Sequence, residues 1–400
     1  MLKYGLDRYF VVNFFNDNVN SENYINDILL AIAQVNTVDI VYPSAEPISL
    51  HADNQTNMIS HETLSPSEMT GDKAASPLTS FRPIQHYLWP AKHFFENFKL
   101  GGIDGIAGSA YEGGKGENVT IISNEPDAWF NEHINLPHER ALVEGEIIIG
   151  SHNTSAVGIM AGLNLGYGIL GIVPNAKMGY SSPGVQHLYN LYHRLNAGDV
   201  IQIGMQHHGI LMAQGEKPCS LPVEFEAAWF DIISALTDKG IHVIEAAGHG
   251  AFNLDHPVLK GKYDRGRRDS GAIMVGALDP RTGLKTPLSN FGSRVDSSSW
   301  GAFVATTSYG HATLFNQTNA WYINDFSGIN AANPIIAGAA ACLSSIAAAY
   351  NAALSPQRLR ELLTGTGTVL AQNNSALMGT QPDLSKAIYA MFAQPDGSKT

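Results

Sequence analysis

Residues 326 to 340 read Phe326-Ser327-Gly328-Ile329-Asn330-Ala331-Ala332-Asn333-Pro334-Ile335-Ile336-Ala337-Gly338-Ala339-Ala340. Gly328 and Pro334 set a tight turn opening a helix, where backbone N–H groups point toward any developing negative charge. The longest apolar stretch, Ile335 to Tyr350, is mainly Ala and Gly and carries Ser344 and Ser345. It is too short to span ~30 Å of hydrocarbon comfortably and reads as a core helix. Small residues at Gly338, Ala339, Ala340 and Ala341 let that helix pass close to a sheet.

Upstream of this turn, short apolar runs alternate with helical patterns. Val119-Thr120-Ile121-Ile122, Val200-Ile201-Gln202-Ile203 and His242-Val243-Ile244-Glu245-Ala246 read as buried strands. Glu224 to Lys239 places Phe225, Trp229, Ile232, Ile233 and Leu236 on one helical face. Such alternation implies a mostly parallel sheet covered by helices on both sides, an α/β fold. This body is expected over residues 116–400. Residues 1–50 read as a small α+β unit: a strand at Tyr9 to Phe14, a helix capped by Ser21 through Leu29 and Ala33, and a strand at Val38 to Pro43. Between them, 51–115 reads as an extended linker or wrapping segment, because Ser44 to Ser80 is polar and its apolar residues define no face.

The 400 residues are 44% hydrophobic and 15% charged, a composition that supports a large core. With 36 acidic and 24 basic residues the net charge is −12, so the summed field repels phosphate backbones and anionic lipid. Neither nucleic acid nor membrane is expected as a partner. Cys219 and Cys342 belong to no CxxC pair and make no disulfide framework. The start, Met1 to Phe10, breaks its apolar character with charges, so a cytoplasmic location is the expectation from the sequence as written.

Several ordered patterns resemble the subtilisin-like serine proteases, the subtilases. Gly116 to Ile122, with Trp129 and Asn131 to Leu136, resembles the strand and loop bearing the family's catalytic aspartate. Ser151-His152-Asn153-Thr154-Ser155-Ala156-Val157-Gly158, followed by Gly171 to Lys177, resembles the helix start bearing the histidine. Val243 to Gly250 resembles the strand and turn of the oxyanion asparagine, and Phe326 to Ala340 the nucleophile turn. Asp269 to Ala277 and Ser289 to Asp296 also fit. The resemblance covers roughly Gly116 to Ala390 and implies the three-layer subtilisin-like fold.

The matched chemistry is largely replaced. Asn330 stands at the serine position, and its amide is a poor nucleophile without a readily removable proton. The aspartate position falls on Ser123 counting from the strand, or on Asn124 counting back from Trp129, and neither is a carboxylate. His152 is retained, followed by Asn153 instead of glycine, and His249 replaces the oxyanion asparagine, leaving only an imidazole N–H to donate. In a subtilisin, losing serine or histidine alone costs about 10⁶ in kcat, and an oxyanion donor about 10²–10³. The resemblance therefore implies a pseudoprotease that holds an extended peptide in the old groove by strand addition.

Two other classes stay open at this point. A hydrolase could use Cys219, or Ser327, with His152, and Asp127 is a substitute carboxylate candidate if a local shift brings it to His152. A metal enzyme could gather Asp127, His152, His207, His208 and His249 in one cleft, although adjacent His207 and His208 diverge in an extended chain and no HExxH spacing is present. No organic cofactor is expected. Calcium, common in the resembling family, cannot be placed from acidic residues, and the oligomeric state is open. In resembling proteins a small N-terminal unit is removed by self-cleavage; without the nucleophile it is expected to stay attached.

Overall fold

The computed structural model describes residues 22–35, 47–48, 79–94, 97–210, 219–370 and 376–393, with Lys3, Leu6, Tyr9 and Val38. The strands are Pro47–Ile48 (β1), Thr120–Asn124 (β2), Val143–Glu144 (β3), Lys177–Ser181 (β4), Val200–Ile203 (β5), Gln206–Ile210 (β6), Cys219–Pro222 (β7), His242–Ala246 (β8), Ile273–Asp279 (β9), Leu284–Lys285 (β10), Ser297–Trp300 (β11), Val304–Ser308 (β12), Phe315–Gln317 (β13), Ala320–Phe326 (β14), Thr368–Val369 (β15) and Thr380–Gln381 (β16). The helices are Glu22–Ala33 (α1), Ser151–Ala161 (α2), Val185–Arg194 (α3), Ala227–Asp238 (α4), Ile329–Ala349 (α5), Pro356–Gly365 (α6) and Leu384–Phe392 (α7).

The main sheet runs β15-β16-β11-β9-β8-β5-β2-β4-β3, with β10 on β9. Its central strands pair in parallel, with Ile121 opposite Val200 and Ile201 opposite Val243. Both faces of these strands are covered and mostly apolar, as a parallel sheet requires, with Ser123, Gln202 and Glu245 as buried polar exceptions. Ile121 and Ile244 join α2 and α5 in one core, while Ile122, Ile201 and Val243 join α3 and α4 in the other. The result is a three-layer α/β sandwich, as the strand and helix alternation implies.

Helix α4 starts later than its apolar pattern suggests. Glu226 is extended, and Glu224 leaves the helix to lie buried against Arg294, whose Nε donates to Glu224 Oε1 at 3.0 Å. A buried ion pair thus overrides local helical periodicity. Helix α1 follows directly after Ser21. Most of the strands expected at 9–14 and 38–43, and most of Ser44 to Ser80, lies outside the described residues. Over 79–115 the described chain crosses the body in short 3₁₀ turns, burying Tyr87, Leu88, Leu100 and Ile103. Trp300 Nε1 fastens it by donating to the Gly101 carbonyl at 2.8 Å.

From β2 the chain goes outward to β3 and β4, then returns across β2 to β5, β8 and β9. The reversal lies between β2 and β5, and a crevice forms at the carboxyl ends of strands at such a point. Residues 123–125 and 202–204 occupy that edge.

Candidate active site

Side chains alternate along a strand, so Ser123 and Asn124 leave β2 in opposite directions. Asn124 Nδ2 donates to the Ser181 and Ser182 carbonyls at 3.2 and 3.0 Å, tying β2 to β4. The Ser123 hydroxyl lies between Asn153 Oδ1 at 2.6 Å and Gln202 Oε1 at 2.8 Å. Neither side chain brings a negative charge to the edge.

The carboxyl at that edge is Glu125, two residues beyond Ser123. Its Oε2 lies 3.4 Å from His152 Nδ1, with both side chains almost wholly buried. Gln202 Nε2 donates to Glu125 Oε1 at 2.8 Å and to Asn333 Oδ1 at 2.7 Å, linking β2, β5 and the first turns of α5. Gly204 makes the space: a Cβ there would overlap the Glu125 carboxyl. Burial, with a smaller push from Asp127 against the pull of the Gln202 hydrogen bond, raises the Glu125 pKa to about 8. Glu125 therefore holds its proton to higher pH than an exposed carboxyl.

Asp127 serves the helix beside it. Its Oδ1 accepts from Asn153 N at 3.1 Å, satisfying an otherwise orphaned N–H in the first turn of α2. Gly150 is the cap residue, and a Cβ there would overlap the Asp127 carboxyl. The side chain weighed from sequence as a substitute partner for His152 is thus an N-terminal cap, while Glu125 faces the imidazole. Asn153, which follows the histidine where the family has glycine, returns its Nδ2 to the Asp127 carbonyl at 2.9 Å.

His152 meets Phe326 edge-on, ring centres 5.8 Å apart. Phe326 ends β14, Gly328 turns the chain at φ 78°, and buried Asn330 lies in the first turn of α5. A positive φ of this size strains any residue with a Cβ, which accounts for the glycine. Pro334 then lacks the N–H that would otherwise reach the Asn330 carbonyl.

His249 closes the opposite wall. Ile329 N donates to its Nε2 at 3.5 Å, and the Gln206 amide meets Nδ1, with Oε1 at 3.2 Å and Nε2 at 2.9 Å. Gln206 Oε1 accepts from His249 N at 2.7 Å, which turns the Gln206 Nε2 donor toward Nδ1 at 2.9 Å and calls for an accepting Nδ1 with the ring proton on Nε2. The Ile329 N–H, at 3.5 Å the longest of these contacts, asks for the opposite tautomer, so the ring satisfies one of the two donors and not both. Burial lowers the His249 pKa to about 4, keeping the ring neutral. The imidazole expected from sequence to donate places its Nε2 3.5 Å from the Ile329 N–H at the start of α5.

The family model for peptidase S8, the subtilases, matches residues 37–386. The chain belongs to the subtilase family. An alkaline protease of Alkalihalobacillus alcalophilus is 25% identical over 276 residues, covering 65% of this chain and 61% of that protein. Subtilisin Savinase of Lederbergia lenta is also 25% identical, over 65% of this chain and 87% of its own. The chain thus spans about six-tenths of the first relative's length. Among solved structures, a protease of Pseudoalteromonas arctica PAMC 21717 superposes with a TM-score of 0.55 at 17% identity, covering 79% of this chain and all of that one, a likeness of fold alone.

Within this subtilase the remaining candidates sit on separate elements. Cys219 is packed in the α5-side core, with its Cβ against the position a Gly250 side chain would take. Ser327 lies in the link between β14 and α5. His207 turns to Trp229, ring centres 6.3 Å apart, and to Glu226 Oε1 at 3.9 Å. The side chain of His208 lies outside the described ones. Among the described residues, no three His, Cys, Asp or Glu side chains gather as metal ligands. Asp127, His152, His207 and His249 each serve a different neighbourhood, so the convergence a metal site needs is not formed by them.

Glu125 is the residue the sequence reading missed. The signal was available in part: it lies two positions beyond Ser123, on the same side of an extended chain.

Proposed function

We propose that this subtilase is a pseudoprotease whose cleft binds an extended peptide in a regulatory role. The observation that carries the reading is Asn330, buried in the first turn of α5 at the position matched by resemblance to the family's nucleophile. An amide nitrogen forms no acyl-enzyme. Peptide binding is supported by β6, whose outer edge takes an added antiparallel strand: Pro47 pairs with His207, and Ile48 with Gln206. The same Gln206 holds His249, so that edge runs directly from the altered site.

The test is threefold. Purified protein is treated with a fluorophosphonate probe, assayed against a pooled peptide library, and titrated with library peptides by fluorescence anisotropy. Absent labelling and turnover with saturable peptide binding is the expected result. Wild-type hydrolysis that His152→Ala abolishes would overturn the reading, as would labelling at Ser327 or turnover lost in Cys219→Ala.

A further inference from the structure

We propose that Glu125 has taken over, from the strand-end positions Ser123 and Asn124, the work of orienting the His152 imidazole. Three features of the fold converge on it. Glu125 Oε2 is the carboxyl oxygen beside His152 Nδ1, at 3.4 Å and away from solvent, a contact that a small turn of either side chain converts to a hydrogen bond. The other oxygen is fixed by Gln202, itself anchored on Asn333. The neighbouring strand gives up a side chain at Gly204, where a Cβ would collide with both the Glu125 carboxyl and Gln202 Nε2. A buried acid with a dedicated cavity and a dedicated donor is a built feature, since an uncompensated buried carboxyl is costly.

The inference uses the same cleft as the functional reading but does not depend on its silence, because it concerns only the imidazole. The titratable groups set against Glu125 are His152 on α2, Asp127 in the following loop and Tyr180 on β4; Arg140 and Glu146 act in turn on Tyr180. While Glu125 keeps its proton, closing that 3.4 Å gap lets the O–H donate to His152 Nδ1, with the ring proton on Nε2. When Glu125 ionises, its carboxylate accepts from Nδ1–H, and Nε2 becomes the free base. One proton leaves to solvent, and the ring tautomer reverses. The retained histidine thus has its base-competent tautomer only at alkaline pH.

The experiment is ¹⁵N NMR of histidine-labelled full-length protein between pH 6 and 10, with the His152 signals assigned by their loss in His152→Gln. Expected is a reversal of the Nδ1 and Nε2 shifts near pH 8 that vanishes in Glu125→Gln and survives in Asp127→Asn and Ser123→Ala. Glu125→Asp, shorter by one methylene, should move the reversal rather than erase it. A reversal that persists in Glu125→Gln, is lost in Asp127→Asn, or is absent from wild type overturns the proposal. A second readout is Asn330→Ser/His249→Asn with no carboxylate introduced: its fluorophosphonate labelling should rise at least tenfold from pH 7 to 9 and fall at least a hundredfold when Glu125→Gln is added. Labelling indifferent to Glu125→Gln also overturns it. An inert double variant whose His152 still reverses upholds it, whereas wild-type peptide turnover would sink the pseudoprotease reading alone.

Discussion

Replacing Glu125 by glutamine should make the protein more resistant to unfolding in alkali. The pKa rises from 4.5 in the unfolded chain to about 8 in the folded one. Between those values the unfolded chain has lost a proton that the folded chain keeps, so stability falls as pH rises through that window and levels off above about 8. At about 1.4 kcal/mol per unit, the full penalty is about 5 kcal/mol, comparable to the whole stability of a marginal domain. Glutamine stays neutral, keeps an acceptor for Gln202 and presents an N–H to His152, so Glu125→Gln should match wild type near pH 5. By pH 9 it should exceed wild type by several kcal/mol. Urea unfolding of both proteins at pH 5, 7 and 9, followed by tryptophan fluorescence, gives the difference directly, and groups common to both cancel. A difference that changes by less than about 1 kcal/mol across this range would show that Glu125 is already ionised at neutral pH, against the burial argument.

Acid should act with the opposite sign through buried histidines. Burial lowers His242 and His249 to about 4 from 6.5, so each withdraws about 3 kcal/mol of stability as pH falls through that interval; His242→Leu should flatten the acid limb in the same urea titration, and an unchanged slope would count against it. Gly204→Ala should cost about 1–3 kcal/mol by overpacking against Glu125 and Gln202, and a double-mutant cycle with Glu125→Ala should recover much of it; strict additivity would deny the cradle. Ile48→Pro removes a backbone N–H from β1 next to Gln206, and should raise the affinity of added peptide roughly tenfold, since own chain and peptide compete for the β6 edge; unchanged anisotropy titrations would place the peptide elsewhere. Arg294→Met should cost at least about 3 kcal/mol, because Glu224 and Asp296 both lose their buried guanidinium, and a loss under 1 kcal/mol in urea would contradict that.

The sequence by itself determined the layered α/β body and the places along the chain where a site could form. Apolar runs near Ile121, Ile201 and Ile244, separated by helical periodicity, are local signals, because strand and helix each impose their own spacing on neighbouring residues. The turn at Gly328 and the Ala-rich helix after it were legible for the same reason, whereas Asn330 was matched to the nucleophile position only through the resemblance to the family. The α4 boundary was not, since Glu224 is drawn out of its helical pattern by Arg294, seventy residues away along the chain. Nor was the identity of the carboxyl at His152. Ser123, Asn124, Glu125 and Asp127 are near neighbours in sequence, and their assignments depend on what lies opposite: Ser181 and Ser182 for Asn124, Asn153 for Asp127, and the space left by Gly204 for Glu125. The polarity of His249 was equally hidden, because an imidazole can donate or accept at either nitrogen, and the choice is made by Ile329 and Gln206 on separate elements. Periodicity reports which face a residue occupies. Proton placement and charge depend on partners brought together from distant parts of the chain, and only tertiary packing supplies them.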